Sequence, residues 1–394
     1  HDYLLKGITD AGADVYDAGL CTTPMVYFGT AHYGFKASVQ ITASHNPAEY
    51  NGMKVSRENA LPVGLDTGLG QIRDWIEEGR PCVPAEVKGQ VHQMPEIRKD
   101  YLDFLLKYKG DWSGLKIAMD VSNGMASLFV RDIFGDQPTY IYEEMDGRFP
   151  NHEPNPLNPK NIVDLQKLVA EVKADIGVIY DGDADRVMFV DENSRFISPD
   201  LMIAVLGHYF LEKGYVHQDI RSSKAVGEYL APMGGVMNTW RVGRAYAALK
   251  LRELDGVFGG ELAGHYYFRD FFYSDSGILA SIIILNVVAK MKAQGISVSQ
   301  LIGRIEKYQN SGEINFKIER KKEAMDAVRD YFMNSEKATA YMDFDGYRVE
   351  FPDWWFNIRP SNTEPYLRFL CEATSKELLD EKVAKVREIV SQFA

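Results

Sequence analysis

Three aspartates recur at every second position of one short segment, Asp181-Gly182-Asp183-Ala184-Asp185, which Arg186 follows. Side chains two residues apart share one side of an extended chain, so we expect the three carboxylates to converge. Carboxylate oxygens without a neighbouring His or Cys favour Mg²⁺ among the common metal ions. The apolar run from Ile176 to Tyr180 indicates a buried strand just before the segment, which argues against merely solvated loop acids. The segment therefore predicts a magnesium site.

A calcium-binding EF-hand is the competing interpretation of these aspartates. The three aspartates and Glu192 fall at ligand positions one, three, five and twelve of such a loop. Arg186, however, stands where an EF-hand needs Gly, and the flanking segments have the pattern of strands rather than helices. We therefore favour magnesium.

Ser44 lies in a second polar loop, Thr42-Ala43-Ser44-His45-Asn46-Pro47, behind a strand predicted for Ala37 to Ile41. Ligands of open α/β sheets bind at the C-terminal ends of strands. The loop is either a simple turn initiated by Asn-Pro or the site of a serine that carries a phosphoryl group. Two further polar loops favour the second interpretation: Gly260-Glu261-Leu262-Ala263-Gly264-His265 and Arg359-Pro360-Ser361-Asn362-Thr363-Glu364-Pro365.

The order of the four loops and their amino-acid sequences resemble those of the α-D-phosphohexomutase family, in particular its phosphomannomutase/phosphoglucomutase branch. The loops span positions 42 to 365 of 394, and a match of four motifs in order is far less common by chance than a match of one. The resemblance implies an intramolecular phosphotransferase that interconverts 1-phosphates and 6-phosphates of mannose, glucose or both. It also implies a phosphoserine enzyme and a hexose 1,6-bisphosphate that serves as intermediate and activator.

The resemblance assigns the phosphoryl-transfer chemistry to the first two loops. Ser44 would form the phosphoenzyme and, with the three aspartates, hold Mg²⁺, while Arg186 would add a bidentate contact to the transferring group. Lys54 matches the general acid/base of the family, and we expect Arg186 and the metal to lower its pKa from the usual ~10.4. His45 either helps to hold the transferring phosphate or is a satisfied loop histidine.

The other two loops match the substrate-binding motifs of the family. Glu261 and His265 belong to the sugar loop, in which His265 can also position a proton transfer; Ala263 replaces the Ser of many members. The phosphate loop would hold the phosphate that is not transferred, and its matching residues are Arg359, Ser361, Asn362 and Thr363. Arg221 and Arg244 stand where relatives often have Lys and His, and they are expected to contact the substrate.

Composition sets limits on the partners and surroundings of the chain. Apolar residues make up 45% and charged residues 25%, as in ordinary soluble proteins, and the net charge of -12 argues against nucleic-acid binding. A phosphate-binding cleft in so acidic a chain must concentrate positive charge locally. The three cysteines are far apart and lack metal-binding spacing, which favours the cytoplasm. The apolar run from Ile278 to Ala289 is too short for a membrane span and predicts a buried helix, and we expect a monomer or homodimer.

Strand and helix patterns alternate along most of the chain, which predicts parallel or mixed sheets. We expect three tandem α/β domains at 1–90, 91–194 and 195–308, and a C-terminal α+β domain at 309–394, around a central cleft. Pro84 to Pro95 is interpreted as a linker. The first residues read as the middle of an element, so we expect the N-terminal part of the first domain to be missing. The remaining predicted elements are strands at 15–16, 115–119, 236–240, 257–258, 347–351, 354–358 and 366–373, and helices at 65–78, 95–108, 162–172, 201–212, 223–233 and from Ser375 onward.

Three other functions stay open. A phosphoglucosamine mutase is the nearest alternative, although Thr42 and the wording of the Glu261 loop favour neutral hexoses. A catalytically silent sugar-phosphate-binding protein would be expected to lose Ser44 or one of the aspartates, and all of them are present. A phosphatase would result if a phosphoserine were open to water.

Overall fold

The first unit contains two separate two-stranded sheets instead of one continuous sheet. In this computed structural model, which describes residues 1–210, 214–361 and 365–393, β1 pairs with β4 in parallel and β2 with β3 in antiparallel. A cavity of about 1090 Å³ between β1 and β2 reaches the Ser44 loop. The elements of the first unit are α1 (Asp2–Asp10), β1 (Val15–Asp17), α2 (Thr23–His32), β2 (Ala37–Ile41), β3 (Met53–Arg57), α3 (Leu69–Glu77) and β4 (Val91–Gln93).

The stretch from Pro84 to Pro95 is more than the predicted linker, because it contains β4. Gly89 and Gln90 lead the chain onto the edge of β1, where the N–H of Val15 donates to the Gln90 carbonyl at 2.8 Å. A three-residue strand between two prolines leaves no recognisable alternation in the sequence.

The second unit is a five-stranded mixed sheet in the order β6-β5-β7-β8-β9. Strands β5, β6 and β7 run parallel, whereas β8 and β9 are antiparallel to their neighbours. The turn from β7 to β8 is the aspartate segment, so strands flank it on both sides and the EF-hand interpretation is excluded. The elements are α4 (Glu96–Leu106), β5 (Ile117–Asp120), α5 (Val130–Phe134), β6 (Thr139–Ile141), α6 (Val163–Val172), β7 (Ile176–Tyr180), β8 (Val187–Asp191) and β9 (Phe196–Ile197).

The third unit repeats this plan with the strand order β11-β10-β12-β13-β14. Its longest helix, α10, is buried along nearly its whole length, as predicted for this apolar run. Within the described ranges no single helix could span a membrane, and one bent pair, α10 with α11, passes that test by length and composition only. The elements are α7 (Leu201–Phe210), β10 (Gly214–Asp219), α8 (Lys224–Leu230), β11 (Gly235–Trp240), α9 (Arg244–Glu253), β12 (Phe258–Gly260), β13 (Tyr266–Phe268), β14 (Ser274–Asp275), α10 (Gly277–Ala293) and α11 (Val298–Ile305).

The C-terminal unit is an antiparallel sheet covered by two helices. The strand order is β15-β20-β19-β18-β17, and β16 also pairs with β20. The Ser375 hydroxyl accepts from the Leu378 N–H and caps α13, as predicted. The elements are β15 (Gln309–Asn310), β16 (Ile314–Lys317), α12 (Lys321–Ser335), β17 (Ala340–Met342), β18 (Tyr347–Glu350), β19 (Trp354–Pro360), β20 (Tyr366–Ala373) and α13 (Lys376–Ser391).

Core packing separates the C-terminal unit from the rest. One continuous apolar cluster joins the first three units, from Met25 to Ile305, whereas the C-terminal unit has a cluster of its own, from Ile318 to Val390. The predicted class, three α/β domains followed by an α+β domain, is confirmed. The predicted domain boundaries stay predictions.

Candidate active site

The three aspartates meet at the turn between β7 and β8. Ala184 adopts a left-handed conformation (φ +64°), so the chain turns here and is not extended as predicted. Each aspartate contributes a carboxylate oxygen, and these oxygens lie within 4.8 Å of one another. All three side chains are buried, and one oxygen of each lacks a hydrogen-bond partner: Oδ2 of Asp181, Oδ1 of Asp183 and Oδ1 of Asp185.

Unpartnered buried carboxylate oxygens are costly, and a divalent cation would satisfy them. A cluster made only of carboxylates suits a hard cation such as Mg²⁺. The residues at this turn therefore fit the magnesium ion that the sequence predicts. Burial, together with the charges of Asp185 and Asp183, also raises the pKa of Asp181 well above its usual value, as expected for carboxylates crowded without a cation.

The Ser44 loop lies directly against the aspartate turn. A Cβ at Gly182 would come within 2.5 Å of the Ser44 carbonyl oxygen, so only Gly permits this approach. Ser44 itself has φ +58°, and its N–H donates to Thr42 Oγ1 at 2.8 Å. Hydroxyls of Thr42 and Thr23 both donate to Asp183 Oδ2, at 3.1 and 2.5 Å. The first unit therefore holds both the serine and one of the aspartates.

Lys54 reaches the same place because β3 returns antiparallel to β2. The register pairs Gln40 with Lys54, and the Lys54 Nζ lies 3.5 Å from Ser44 Oγ and 2.8 Å from Asp183 Oδ2. Its ammonium also contacts Asp185. Burial disfavours the charged amine, but these two carboxylates outweigh it and raise the pKa of Lys54 well above its usual value. The predicted lowering of this pKa is wrong for the protein groups present, because the prediction overlooked the aspartate contacts.

Arg186 links the two histidines of the site. Its Nη2 lies 2.8 Å from Nδ1 of His45, and its Nε donates to Nε2 of His265 at 3.0 Å. Burial, with Arg186 and His265, lowers the pKa of His45 to about 4, so His45 is neutral and accepts from Arg186. His45 Nδ1 also lies 3.3 Å from Ser44 Oγ. The structure thus places His45, Arg186 and Ser44 together.

His265 has its tautomer set by its two neighbours. Since Arg186 can only donate, Nε2 of His265 accepts, and Nδ1 carries the proton that it donates to Asp275 Oδ2 at 2.7 Å. The other oxygen of Asp275 pairs with Nε of Arg244 at 3.0 Å. The Arg244 guanidinium lies 3.6 Å above the centre of the Tyr27 ring, which ties the third unit to the first.

Glu261 is buried at the start of the third loop. Its Oε1 accepts from the Tyr267 hydroxyl at 3.0 Å and from the Gly243 N–H at 3.2 Å. Burial raises the pKa of Glu261, although His265 opposes the shift. A hydrogen-bonded carboxyl held in this way presents a fixed acceptor.

Arg221 and Arg359 are each held by a neighbouring aspartate. The Arg221 guanidinium donates to Asp219 through Nε and Nη2, at 3.1 and 2.8 Å, and Nε of Arg359 lies 3.2 Å from Asp345 Oδ1. Burial lowers the pKa of Arg359, and the charge of Arg221 acts in the same direction. The N–H of Ser361 donates to the Tyr366 carbonyl at 2.9 Å. Asn362 and Thr363, also predicted here, lie outside the described residues.

Family models match nearly the whole chain in four consecutive parts. Models of phosphoglucomutase/phosphomannomutase α/β/α domains I, II and III match residues 1–80, 99–194 and 198–308, and the model of the C-terminal domain matches residues 313–389. The chain belongs to the phosphoglucomutase/phosphomannomutase family. This membership confirms the predicted enzyme class, an intramolecular phosphotransferase.

Individual relatives agree with this assignment. A phosphomannomutase of Vibrio cholerae is 34% identical over 99% of this chain and 86% of its own length. A protein of Xanthomonas campestris with the name "Phosphohexose mutases" is 37% identical over 96% of this chain and 85% of its own length. A crystal structure of a phosphoglucomutase/phosphomannomutase family protein from Burkholderia thailandensis superposes with a TM-score of 0.85 at 25% identity, covering 99% of this chain and 85% of that one.

Several residues that shape the site were not identified from the sequence. Each holds a predicted residue in place, Tyr27 through its ring and the others through a polar group, and they are Thr23, Tyr27, Asp219, Asp275, Asp345 and Tyr267. None lies within the four loops, although Tyr267 follows His265 by only two residues. Asp275, placed just before the apolar helix α10, carried the only local signal, an acid beside a buried run.

Proposed function

We propose that this protein is a magnesium-dependent mutase that interconverts hexose 1-phosphates and hexose 6-phosphates, of mannose, glucose or both. The observation that carries the proposal is the contact between the aspartate turn and Ser44. Three buried carboxylate oxygens without hydrogen-bond partners lie next to the loop of a hydroxyl that Lys54 and His45 both approach. Relatives named phosphomannomutase and phosphohexose mutases support the choice of substrate class.

Ser44 would act as the phosphoryl carrier. In the forward step the bond between phosphorus and Ser44 Oγ breaks while a bond forms to the free O6 or O1 of a hexose monophosphate. Lys54, as an ammonium 3.5 Å from Ser44 Oγ, can give that oxygen a proton as it leaves. The amine that this leaves on Lys54 would take up the proton that the sugar hydroxyl loses, so Lys54 is restored and the product is a hexose 1,6-bisphosphate. Transfer of its other phosphate back to Ser44 completes the interconversion.

The aspartates and Ser44 would hold Mg²⁺, which when bound offsets negative charge on the phosphoryl group. Arg186 would add a positive charge at the same place. Its Nε and Nη2 are oriented by the two histidines, so the guanidinium is fixed before substrate arrives. Neutral His45 would help to hold the phosphate through its ring N–H.

The substrate would lie between Glu261 and the two arginines Arg221 and Arg359. Glu261 would accept from sugar hydroxyls, and His265 would order the loop or position a proton transfer. Arg221 and Arg359, with Ser361 and the predicted Asn362 and Thr363, would hold the phosphate that stays in place. Arg244 would contact the substrate beside Tyr27. We place this activity in the cytoplasm, in a monomer or homodimer.

Phosphorus NMR tests the proposal with the full chain, Mg²⁺, a trace of glucose 1,6-bisphosphate, and mannose 1-phosphate or glucose 1-phosphate. We expect the 6-phosphate to appear with the unaltered protein and not with Ser44→Ala. Ser56→Ala is the matched control, because this buried serine of β3 has no hydrogen-bond partner for its hydroxyl and should keep full activity. Full activity in Ser44→Ala would refute the mechanism. Conversion of glucosamine phosphate alone would instead indicate a phosphoglucosamine mutase, and release of free phosphate alone a phosphatase.

A further inference from the structure

The loop that carries Arg221 is shared between two domains. It joins β10 to α8, and its N–H groups bond within the third unit: that of Arg221 to Asp219 Oδ1 at 2.7 Å and that of Ser223 to Asp200 Oδ2 at 2.7 Å. Its carbonyls bond to the C-terminal unit. Those of Ile220 and Ser222 both accept from Nη1 of Arg348, at 2.9 and 2.6 Å. One guanidinium thus holds the peptide groups on both sides of Arg221.

Arg348 is itself held rigidly in β18. It is 1% exposed, its Nε donates to Glu350 Oε1 at 2.7 Å, and its guanidinium lies 3.8 Å above the centre of the Trp355 ring. The Trp355 indole N–H donates in turn to Glu372, which also accepts from the Ser223 hydroxyl at 2.6 Å. The C-terminal sheet therefore holds the loop on either side of Arg221. The donor is the planar guanidinium of Arg348, which is stacked on Trp355, and the acceptor is the buried carboxyl group of Glu372.

The position of Arg348 in the sheet matters because Arg359 belongs to the same sheet. Strands β18 and β19 are paired, with Arg348 opposite Asn357, so Arg348 and Arg359 move as one body. Burial lowers the pKa of Arg359, and the nearby charge of Arg221 contributes to that shift. A movement of the C-terminal unit that displaced Arg359 would also release the carbonyls beside Arg221.

We propose that Arg348 is a positioning residue that sets the orientation of Arg221, so that the two phosphate-binding arginines, Arg221 and Arg359, are assembled together when the C-terminal domain docks. The inference rests on the proposed function, in which both arginines hold the phosphate that is not transferred. Arg348 does not touch the substrate in this proposal. It acts through the backbone of the loop.

Lys224 distinguishes positioning from simple docking. Its Nζ donates to the carbonyls of Phe351 and Pro352 at 3.1 and 3.2 Å. This contact also joins a cation to two carbonyls across the same pair of domains, but it lies on α8 beyond the loop. If Arg348 only attached the C-terminal domain, Lys224→Met would have the same effect as a change of Arg348.

The test is a double-mutant cycle on KM in the full chain with Mg²⁺ and glucose 1,6-bisphosphate. A lysine in place of Arg348 cannot contact both carbonyls, Glu350 and the face of the Trp355 ring at the same time. In Arg348→Lys we therefore expect KM for the hexose phosphate to rise about tenfold, while kcat stays within about twofold of the unaltered protein. A tenfold change in KM is about what the loss of a charged hydrogen bond produces. In an Arg221→Gln background the same change should add nothing, because its target is gone. Lys224→Met should leave KM within about twofold.

Additive effects of Arg348→Lys and Arg221→Gln would overturn the inference, as would an equal effect of Lys224→Met. If Arg348→Lys does not fold, Glu350→Gln loosens the same guanidinium from a half-buried position, and it should raise KM less and likewise only when Arg221 is present. An unaltered chain that shows no turnover would overturn the proposed function and with it the inference. Turnover by the unaltered chain combined with additive losses would remove the role of Arg348 alone.

Discussion

Replacing Asp181 by Asn gives a sharp test of the metal site, because the change should stabilise the protein while it abolishes activity. Asp181 is fully buried, and its Oδ2 lacks a hydrogen-bond partner beside two other carboxylates. Its Oδ1 accepts the Arg186 N–H at 3.2 Å, a contact that the amide oxygen of Asn can keep. The substitution therefore removes one crowded carboxylate and keeps the backbone contact of the turn. It also removes the ion pair between Asp181 Oδ2 and Arg186 Nε at 3.6 Å, which offsets part of the gain.

The expected change in melting temperature follows from Oδ2 of Asp181, which lacks a hydrogen-bond partner. A buried acceptor without a partner costs about 1–3 kcal/mol, and more when it is charged. Since 1 kcal/mol shifts the melting temperature of a domain of this size by about 2–4 °C, Asp181→Asn should melt on the order of 5 °C higher in EDTA. Magnesium at about 100 times its Kd should add about 2.7 kcal/mol to the unaltered protein. It should add much less to the variant, which lacks one ligand.

Thermal unfolding in EDTA and in Mg²⁺, followed by circular dichroism, measures the melting temperature without the metal ion and its rise when Mg²⁺ is added. Mutase turnover of Asp181→Asn should fall by about two orders of magnitude or more. Asp200→Asn is the matched control. Asp200 is also buried, but it accepts from the N–H groups of Ser223 and Leu201 and from the Ser198 hydroxyl. Its replacement should lower the melting temperature equally in both conditions. A lower melting temperature of Asp181→Asn in EDTA, or an unchanged response to Mg²⁺, would refute the assignment.

Two further predictions concern the contact at Gly182 and the pH response of the domain interface. Gly182→Ala should reduce turnover about tenfold or more without loss of fold, because its Cβ would displace the Ser44 carbonyl from 2.5 Å away; normal turnover with an intact circular dichroism spectrum would contradict this. Burial, with the charge of Asp200, raises the pKa of Glu372 to about 7, so the folded state keeps a proton that the unfolded chain has released above about pH 4.5. Stability should therefore fall as pH rises between these values, and Glu372→Gln should flatten that slope in melting curves from pH 5 to 8.

Several strands have the predicted bounds. For strand Ile176–Tyr180, which is buried throughout, an apolar run between turn signals leaves little choice. Strand Tyr366–Ala373, where Arg368 and Glu372 interrupt the apolar residues, and the mostly unburied strand Ala37–Ile41 also have the predicted bounds. Helix Thr23–His32, by contrast, was missed. It is apolar or small on almost every face, so it shows no helical period, although Thr22 caps it and Pro24 stands in its first turn.

The predicted bounds of secondary-structure elements were wrong where the pattern of apolar and polar residues does not reveal the backbone conformation. The helix predicted from Leu65 to Glu78 is broken by Gly68 at φ +149°, so that a 3₁₀ turn at Leu65–Thr67 precedes the helix at Leu69–Glu77. Alternation along the aspartate segment suggested an extended chain, whereas Ala184 makes it a turn. Both errors left the candidate residues in place, because a loop motif specifies its chemistry more strongly than its backbone.

Several partners of the site residues could not be predicted, since 10 to 160 residues separate them along the chain. Asp275 is 10 residues from His265 and 31 from Arg244, yet it accepts from both. Asp183 contacts Thr23 across 160 residues. Neither pairing leaves a trace in local periodicity, because the contacts of Asp275 depend on how the third unit folds and that of Asp183 on how the second unit packs against the first.

These partners change the electrostatic argument for the cleft. An acidic chain that binds phosphate was expected to gather an excess of positive charge, but each basic side chain placed at the site has a carboxylate or a histidine against it, as the pairs of Arg221 with Asp219 and Arg359 with Asp345 show. Buried cations without partners would cost several kcal/mol each in the free protein. Paired cations avoid that cost and are held in one orientation, so the proposed phosphate recognition would depend on directed N–H donors rather than on net charge. In the proposed function, a bound magnesium ion would supply the positive charge that the protein groups around the crowded aspartates do not.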